Sequence, residues 1–335
     1  MSLQPATVIR TAESVSPHHP DKLCDQMSDA ILDAYLAQDP HARVAVETVG
    51  GHGKVFITGE VSARGEVAIE PIVRRIAGEV EVEVRIAQQS PEIASGVDTG
   101  GAGDQGIMTG YATSETPELL PLEVVLARSL NQHLYAMWPF DGKTQVTLDA
   151  DNEITAIVAS FQHAPHDKLA AAVRDWVATQ RYVADGFAGP RSSHPTLHIN
   201  PAGDWEVGGF AADAGLTGRK LVVDNYGPRI AIGGGCFSGK DASKVDRSAA
   251  YMARKIAIDY LRTFQANEVY VQLAYAIGYD QPVQATATVD GVSQQIEGYD
   301  LSPAGIVAAL QLTTPQFEAT ARYGHFGHSE FLWER

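Results

Sequence analysis

The spacing of apolar residues along the chain predicts helices and strands that do not alternate strictly. A helix that starts at Pro20 has apolar positions at Leu23, Met27, Ile31 and Ala34, the period of one helix face. Segments 42–49 and 54–61 alternate apolar and polar residues around the turn 50–53, as a β-hairpin does. Further helices are predicted at 69–76, 119–133, 167–180, 249–264, 303–310 and 315–322, and further strands at 80–86, 145–148, 154–161, 197–199, 205–207, 221–224, 268–277 and 284–289. This irregular mixture favours an α+β fold over a doubly wound sheet.

A glycine-rich stretch, residues 233–247 (GGGCFSGKDASKVDR), lies between the short apolar run 230–232 and the longest predicted helix. Glycines allow backbone N–H groups to approach a ligand closely, and a helix start adds unpaired N–H groups and a partial positive charge. Because Lys240, Lys244 and Arg247 are spaced i, i+4 and i+7, we expect them to share one face of the first helical turns and to repel each other there. An anion among them would relieve the repulsion, and a polyphosphate is the natural candidate.

The same stretch begins like a P-loop and then departs from it. Gly234, Gly239 and Lys240 match the pattern G-x-x-x-x-G-K, but Asp241 stands where Ser or Thr would bind Mg²⁺. This difference disfavours ordinary P-loop chemistry and favours a different phosphate cradle. In the alternative without a ligand, the stretch is a turn in which Ser243 and Asp246 form a capping box over a surface helix.

Aspartates recur every four residues on the first predicted helix, at Asp21, Asp25, Asp29 and Asp33. They stack on one side of the helix and repel each other, so we expect Asp29 and Asp33 to form a solvated acidic ridge. Asp21 differs because it lies at the helix start beside His19. A carboxylate there could hold Mg²⁺, which needs only one or two protein carboxylates besides water and substrate phosphates. A histidine at position 18 or 19 either caps the helix or takes part in catalysis, and spacing leaves both open.

Two further loops carry candidate chemistry. Segment 88–106 is a long polar loop, and such a loop inside a compact domain is either a lid or a plain connector. Segment 208–220 combines glycines with Asp213, Arg219 and Lys220. It is either a surface turn or a second phosphate-facing loop.

Composition narrows the class of protein. The chain has 335 residues, 44% hydrophobic and 20% charged, which is ordinary for a globular protein of two or three domains. A net charge of −16 argues against nucleic acid as a partner but permits a small anionic ligand where the few cations are concentrated. Two cysteines are too few for a disulfide framework. With neither a signal sequence nor an apolar run of membrane-spanning length, a cytoplasmic protein without a membrane partner is expected.

Together and in this order, these stretches resemble the S-adenosylmethionine synthetase (methionine adenosyltransferase) family. The similar segments are 19–22 (HPDK) with 25–26 and 28–30, 89–91 (QSP), 101–106 (GAGDQG) with 110–113 (GYAT), 215–220 (GLTGRK), 233–235 and 237–241 (FSGKD) with 243–250 (SKVDRSAA), and 323–327 (YGHFG). Each motif alone is weak, but the ordered set covers nearly the whole chain and is specific.

The resemblance implies three related α+β domains with mixed sheets and helices on one face, in a pseudo-threefold arrangement. We place these domains at residues 1–95, 96–210 and 211–335, with a gating loop before the central one. The implied reaction, part of one-carbon metabolism, joins ATP and methionine into S-adenosylmethionine and then hydrolyses the bound tripolyphosphate to pyrophosphate and phosphate. Two Mg²⁺ and one K⁺ are the implied cofactors. The implied assembly is a homodimer with shared active sites, in some members paired into a tetramer.

The resemblance also implies the site residues. Those for ATP are His19, Asp141, Lys143, Trp205, Asp213, Arg219, Lys220, Cys236 and Lys240. The catalytic ones among them are His19, Lys143, Arg219, Lys220 and Lys240. Those for methionine are Glu60, Gln89, Asp213 and Lys244. Asp21 and Asp246 are implied for Mg²⁺ and Glu47 for K⁺. Because methionine sulfur is a neutral nucleophile, no general base is required, and catalysis should come from cations around the leaving triphosphate.

The chain departs from the family pattern in several places. Pro17 and His18 precede the HPDK motif where a glycine is common, and Trp205 and Cys236 stand where phenylalanine and a smaller residue are usual. Segments 60–88 and 89–101 are shorter than in the family, and we expect the shortened gating loop to change turnover, product release or selectivity.

Two other functions are possible from the sequence. A P-loop kinase or NTPase would need Ser or Thr after Lys240, which is absent. An inactive nucleotide-binding regulatory subunit would be expected to lack phosphate cations or metal carboxylates, yet every one that the resemblance implies is present.

Overall fold

The computed structural model describes residues 9–88, 100–180 and 195–335 and contains three four-stranded sheets. The strands are β1 Arg10–Val15, β2 Arg43–Gly51, β3 Lys54–Ser62, β4 Glu81–Ala87, β5 Gly106–Thr113, β6 Gly142–Leu148, β7 Ile154–Phe161, β8 Thr196–Ile199, β9 Gly215–Leu216, β10 Glu268–Tyr275, β11 Gln284–Val289 and β12 Val292–Gln295. The helices are α1 Pro20–Leu36, α2 Ile69–Ala77, α3 Leu122–Tyr135, α4 His166–Thr179, α5 Leu221–Asp224, α6 Val245–Phe264, α7 Pro303–Leu310 and α8 Phe317–Thr320, with 3-10 turns at Gly209–Ala211 and Leu332–Glu334.

Each sheet combines neighbouring strands with one strand from a distant part of the chain. The orders are β1-β6-β7-β8, β4-β3-β2-β9 and β12-β11-β10-β5. Pairing is antiparallel except between β3 and β4 and between β7 and β8. These mixed and antiparallel sheets, with their helices, confirm the predicted α+β class. The domain bounds at residues 95 and 210 stay a prediction.

Helices cover one face of each sheet because the strands alternate between buried and more exposed side chains. Helix α1 packs on β2, α3 on β1 and β6, and α6 on β5 and β10. One apolar core joins the sheets of β2 and β10, and a second lies between the sheet of β6 and helices α3 and α4. Helix α1 contributes to the larger core, and its acidic residues Asp21, Asp25 and Asp29 are buried together with its apolar ones.

Some predicted elements differ from the structure. Residues 221–224, predicted as a strand, form helix α5, since an apolar run this short does not distinguish a strand from a buried helical turn. Residues 205–207, also predicted as a strand, lie outside the strands that the structure describes. The long helix begins at Val245 instead of residue 249. The predicted helix at 315–322 is shortened to Phe317–Thr320.

The predicted solvated ridge at Asp29 and Asp33 is wrong. Asp29 is fully buried and forms an ion pair with Arg247, with Oδ1 2.6 Å from Nη1. Asp33 is half-buried and accepts the backbone N–H groups of residues 316, 317 and 318 at 2.8–3.0 Å. Partners from distant parts of the chain therefore offset the repulsion between the aspartates, and spacing along α1 could not show those partners.

Candidate active site

Two loops that carry cationic side chains contact acidic side chains in the first turns of helices α1 and α6. We call residues 213–220 the arginine–lysine loop and residues 233–244 the glycine loop. Asp21, fully buried in the first turn of α1, lies 2.9 Å from Arg219 Nε and 2.6 Å from Lys220 Nζ. Asp246, in the first turn of α6, lies 2.6 Å from Lys240 Nζ. Each of the three cations thus pairs with a carboxylate that the resemblance implies for Mg²⁺.

His19 occupies the N-cap position of α1, so the capping role is confirmed. Its Nδ1 accepts the backbone N–H of Asp21 at 3.2 Å, which leaves the proton of the neutral ring on Nε2. Burial, and then the charges of Lys220 and Lys143, lower the pKa of His19 to about 3. The ring is therefore neutral at physiological pH, and Nε2–H is a donor beside the cations.

The pKa of Asp141 shows that the charges of Lys143 and Asp213 lie near its carboxyl group. Burial raises the pKa of Asp141, and the carboxylate of Asp213 raises it further, against the charge of Lys143. Asp141 Oδ2 accepts the backbone N–H of Gly209 at 3.0 Å, which holds the chain just before Asp213. Lys143 is half-exposed, with its Nζ 3.3 Å from Glu13, so it can turn toward a ligand.

Cys236 and Glu47 lie beside the lysine of the glycine loop. The half-buried side chain of Cys236 packs so closely on Gly218 that a Cβ at Gly218 would lie 2.6 Å from Cys236 Cβ. Burial raises the pKa of the Cys236 thiol, the charge of Lys240 opposes this, and the carboxylate of Glu47 adds to it. Cys236 therefore joins the two loops, while Glu47 is exposed on β2.

The expectation that Lys240, Lys244 and Arg247 share one helical face is wrong. Helix α6 begins at Val245, so Lys240 precedes it and forms a β-bridge with Ala45. Lys244 is the N-cap residue and pairs with Asp241, and Arg247 points into the core toward Asp29. Each cation has its own carboxylate, and that is why the three do not gather around one point.

The capping-box and P-loop alternatives both lack support. Among the described residues Ser243 Oγ has no hydrogen-bond partner, and Asp246 is paired with Lys240. Asp241, at the position where a P-loop has its Mg²⁺-binding hydroxyl, accepts the backbone N–H of Val44 at 2.6 Å and so ties the glycine loop to β2.

The predicted methionine and adenine residues are less tightly clustered. Glu60 is half-buried on β3 opposite Ala45, the residue that bridges to Lys240. Trp205 is half-buried, and its buried Nε1 has no hydrogen-bond partner within the described ranges. Gln89 and most of the predicted gating loop lie outside the described residues.

Sequence reasoning missed a buried ion-pair network beneath the arginine–lysine loop. Lys22 Nζ lies 2.6 Å from Asp224 Oδ1 and 3.0 Å from Asp25 Oδ2, and all three side chains are buried. Asp25 Oδ1 also accepts the backbone N–H of Gly218 at 2.8 Å. Burial raises the pKa of Asp25 and of Asp224, while the ammonium of Lys22 opposes the shift. The four-residue recurrence of aspartates was the available signal for this network.

A divalent cation bound at this site would contact single carboxylates and not a cluster of protein ligands. Within residues 9–88, 100–180 and 195–335, no group of three or more His, Cys, Asp or Glu side chains could hold a metal ion. Asp21 Oδ1 is buried, and its ion-pair partner Arg219 Nε, 2.9 Å away, is not aligned for a hydrogen bond. A hard cation bound mainly by phosphate oxygens and water fits one carboxylate oxygen of this kind.

The helices of the described ranges include none whose length and apolarity would suffice to cross a membrane. The cytoplasmic location stays a prediction.

Three family models match successive parts of the chain. They describe the S-adenosylmethionine synthetase N-terminal domain at residues 7–97, central domain at 99–205 and C-terminal domain at 207–335. The chain is 42% identical to S-adenosylmethionine synthase 1 of Frankia casuarinae and 43% identical to S-adenosylmethionine synthase of Leifsonia xyli subsp. xyli, over 97% of this chain and 95% of each relative. It is 41% identical to S-adenosylmethionine synthase of Treponema pallidum, over 97% of this chain and 93% of the relative. The chain, by these matches over nearly its whole length, belongs to the S-adenosylmethionine synthetase family.

Proposed function

We propose that this protein makes S-adenosylmethionine from ATP and methionine and then hydrolyses the bound tripolyphosphate to pyrophosphate and phosphate. The observation that carries the proposal is the meeting of the two cationic loops at α1 and α6. There Arg219 and Lys220 lie against Asp21, and Lys240 lies against Asp246. In a member of this family, such a set of cations fits a chain of three phosphoryl groups.

The proposed first step forms a bond between the methionine sulfur and C5′ of ATP and breaks the bond between C5′ and its oxygen. The sulfur becomes a sulfonium, and negative charge develops on the leaving triphosphate. Arg219, Lys220 and Lys240 would stabilise this charge when the phosphates compete with the carboxylates for them. The neutral ring of His19 would donate its Nε2–H to the departing 5′ oxygen, and no group need remove a proton.

The cofactors of the proposed reaction are two Mg²⁺ and one K⁺. Asp21 and Asp246 would hold Mg²⁺, and Glu47 would hold K⁺. When bound, these cations supply further charge neutralisation to the phosphates. In support, the Oδ1 of Asp21 accepts no hydrogen bond from the described residues, and only the ion pair with Arg219 would have to yield to a cation.

The remaining predicted residues would orient the two substrates. Trp205 would stack on adenine. The other nucleotide contacts are proposed for Asp141, Lys143, Asp213 and Cys236. The methionine contacts are proposed for Glu60, Gln89, Asp213 and Lys244.

An assay of the products tests the proposal. With ATP, methionine, Mg²⁺ and K⁺, we expect S-adenosylmethionine, pyrophosphate and phosphate in equal amounts, detected by chromatography and phosphorus NMR. Chelation of the divalent cation should abolish all three products, and omission of methionine should abolish the sulfonium. ADP that forms without methionine would favour a kinase or NTPase and contradict the proposal.

We also propose a homodimer whose active sites are shared and which can pair into a tetramer. In support, the cross-strand partners Val49 and Leu216 are 37% and 39% exposed on the face of their sheet opposite α1, where Glu47 also lies. Native mass spectrometry should give twice the mass of the chain, or four times that mass where dimers pair. Leu216→Asp should shift the mass toward the monomer, whereas Val292→Asp, at an exposed edge strand, should not. A monomeric wild-type protein that is fully active would contradict shared sites.

A further inference from the structure

We propose that Asp29 is a positioning residue for this reaction and that it acts through Lys240. The inference rests on the proposed function, because it assigns Lys240 to the phosphates. Asp29 itself is fully buried, so it would touch neither substrate. Its effect would come from the backbone that carries the lysine.

Asp29 and its partner bind the backbone on both sides of the Lys240 Cα. Asp29 Oδ1 accepts the backbone N–H of Gly239 at 2.8 Å and Nη1 of Arg247 at 2.6 Å. The same Nη1 of Arg247 donates to the carbonyl oxygen of Lys240 at 3.1 Å. The ion pair therefore acts as a clamp on the dipeptide Gly239–Lys240.

The clamp is itself held rigidly. Arg247 Nη2 donates to Asp29 Oδ2 and to Thr320 Oγ1, each at 3.0 Å, and Nε donates to Tyr251 OH at 3.0 Å. The guanidinium also lies 4.2 Å from the ring centre of Phe317. With all the donors directed at fixed partners, the pair has little freedom to follow a displaced loop.

Helix α1 thereby fixes both cationic loops to one element. Asp29 is eight residues after Asp21, which is about 12 Å along a helix that rises 1.5 Å per residue. Asp21 holds Arg219 and Lys220 at one end of this span, and Asp29 holds the backbone of Lys240 at the other. The helix between them therefore fixes the relative position of the two loops whose cations are proposed to bind the triphosphate.

A double-mutant cycle tests whether Asp29 acts through Lys240. In Asp29→Ala, we expect kcat to fall about 100-fold, the size expected for a misplacement of about 1 Å, with the KM for methionine changed less than about threefold. Adding Lys240→Ala to this variant should lower kcat little further, because the two residues act as one unit. Asp29→Asn, which keeps an oxygen for Gly239 N–H, should retain more activity than Asp29→Ala.

Asp33→Ala is the matched control. Asp33 lies one turn further along the same helix and also accepts backbone N–H groups, but from residues 316–318, which carry no proposed phosphate ligand. We expect this variant to lower Tm and to leave kcat unchanged. If Asp29→Ala likewise lowered only Tm, or if its loss of kcat added fully to that of Lys240→Ala, Asp29 would be merely structural.

Two provisions keep the test decisive. If Asp29→Ala does not fold, Asp29→Asn replaces it in the cycle with Lys240→Ala, and the same criterion of non-additivity applies. The cycle is also run on the affinity for inorganic tripolyphosphate, measured by calorimetry. A wild-type protein that forms no S-adenosylmethionine would refute the proposed function. The positioning role of Asp29 would then be decided by tripolyphosphate binding alone. Non-additive losses of affinity in the Asp29 variants and Lys240→Ala would support it, and additive losses would contradict it.

Discussion

Replacing Lys240 with alanine should lower kcat about 100- to 1,000-fold, the usual effect of removing one group that stabilises transition-state charge. Lys240 is the cation of the glycine loop whose ammonium lies against Asp246, a proposed Mg²⁺ ligand. Without Lys240, the leaving triphosphate loses one neutralising positive charge. The other two cations of this part of the site, Arg219 and Lys220, do not replace it. The measurement is single-turnover formation of S-adenosylmethionine with saturating ATP and methionine, which reports the chemical step.

The fold should survive this substitution. The side chain of Lys240 is 21% exposed, and the loss of a partly exposed ion pair costs about 1 kcal/mol of unfolding free energy. Lys255→Ala is the control, since Lys255 forms a comparable ion pair with Asp259 on the far part of α6. It should leave kcat unchanged. Unchanged single-turnover rates in Lys240→Ala would remove this lysine from the site.

The elements that the sequence predicts well are those with an unambiguous period. Helix α1 starts at Pro20 as its capping and apolar spacing indicate, and the hairpin of β2 and β3 follows the alternation around Gly53. Residues 221–224 could not be assigned in this way, because four residues show no period and the pairing of Asp224 with Lys22, 202 residues away, is not visible locally. Long-range pairing decides such short elements.

The site was predictable in its residue types but not in its internal pairing. The motifs drew attention to Asp21, Lys220 and Lys240, and the structure brings these side chains into ion pairs near the starts of α1 and α6. The role of Asp29 was misjudged, because a row of aspartates with no visible partners is expected to be solvated. Its partner Arg247 is 218 residues away, and no local pattern joins the two.

Replacing Gly239 with alanine should lower both stability and activity. Its φ is +80°, and a Cβ there would lie 1.9 Å from the carbonyl oxygen of Val46, which as backbone cannot easily move. The left-handed conformation costs about 1 kcal/mol and the overpacking about 1–3 kcal/mol more, so we expect a loss of roughly 2–4 kcal/mol in unfolding free energy. Because Lys240 is the next residue, the displaced loop should also lower kcat about 100-fold.

Gly53→Ala separates the two causes. Gly53 has nearly the same φ, +82°, but a Cβ there would meet no atom within 4 Å. It should therefore show only the conformational cost of about 1 kcal/mol, with kcat unchanged. Urea unfolding of both variants gives the free energies, and single-turnover assays of the folded proteins give the rates. Equal losses of stability in the two variants would mean that left-handed backbone alone matters at Gly239. The close approach of the glycine loop to β2 would then have no part in holding Lys240 in place.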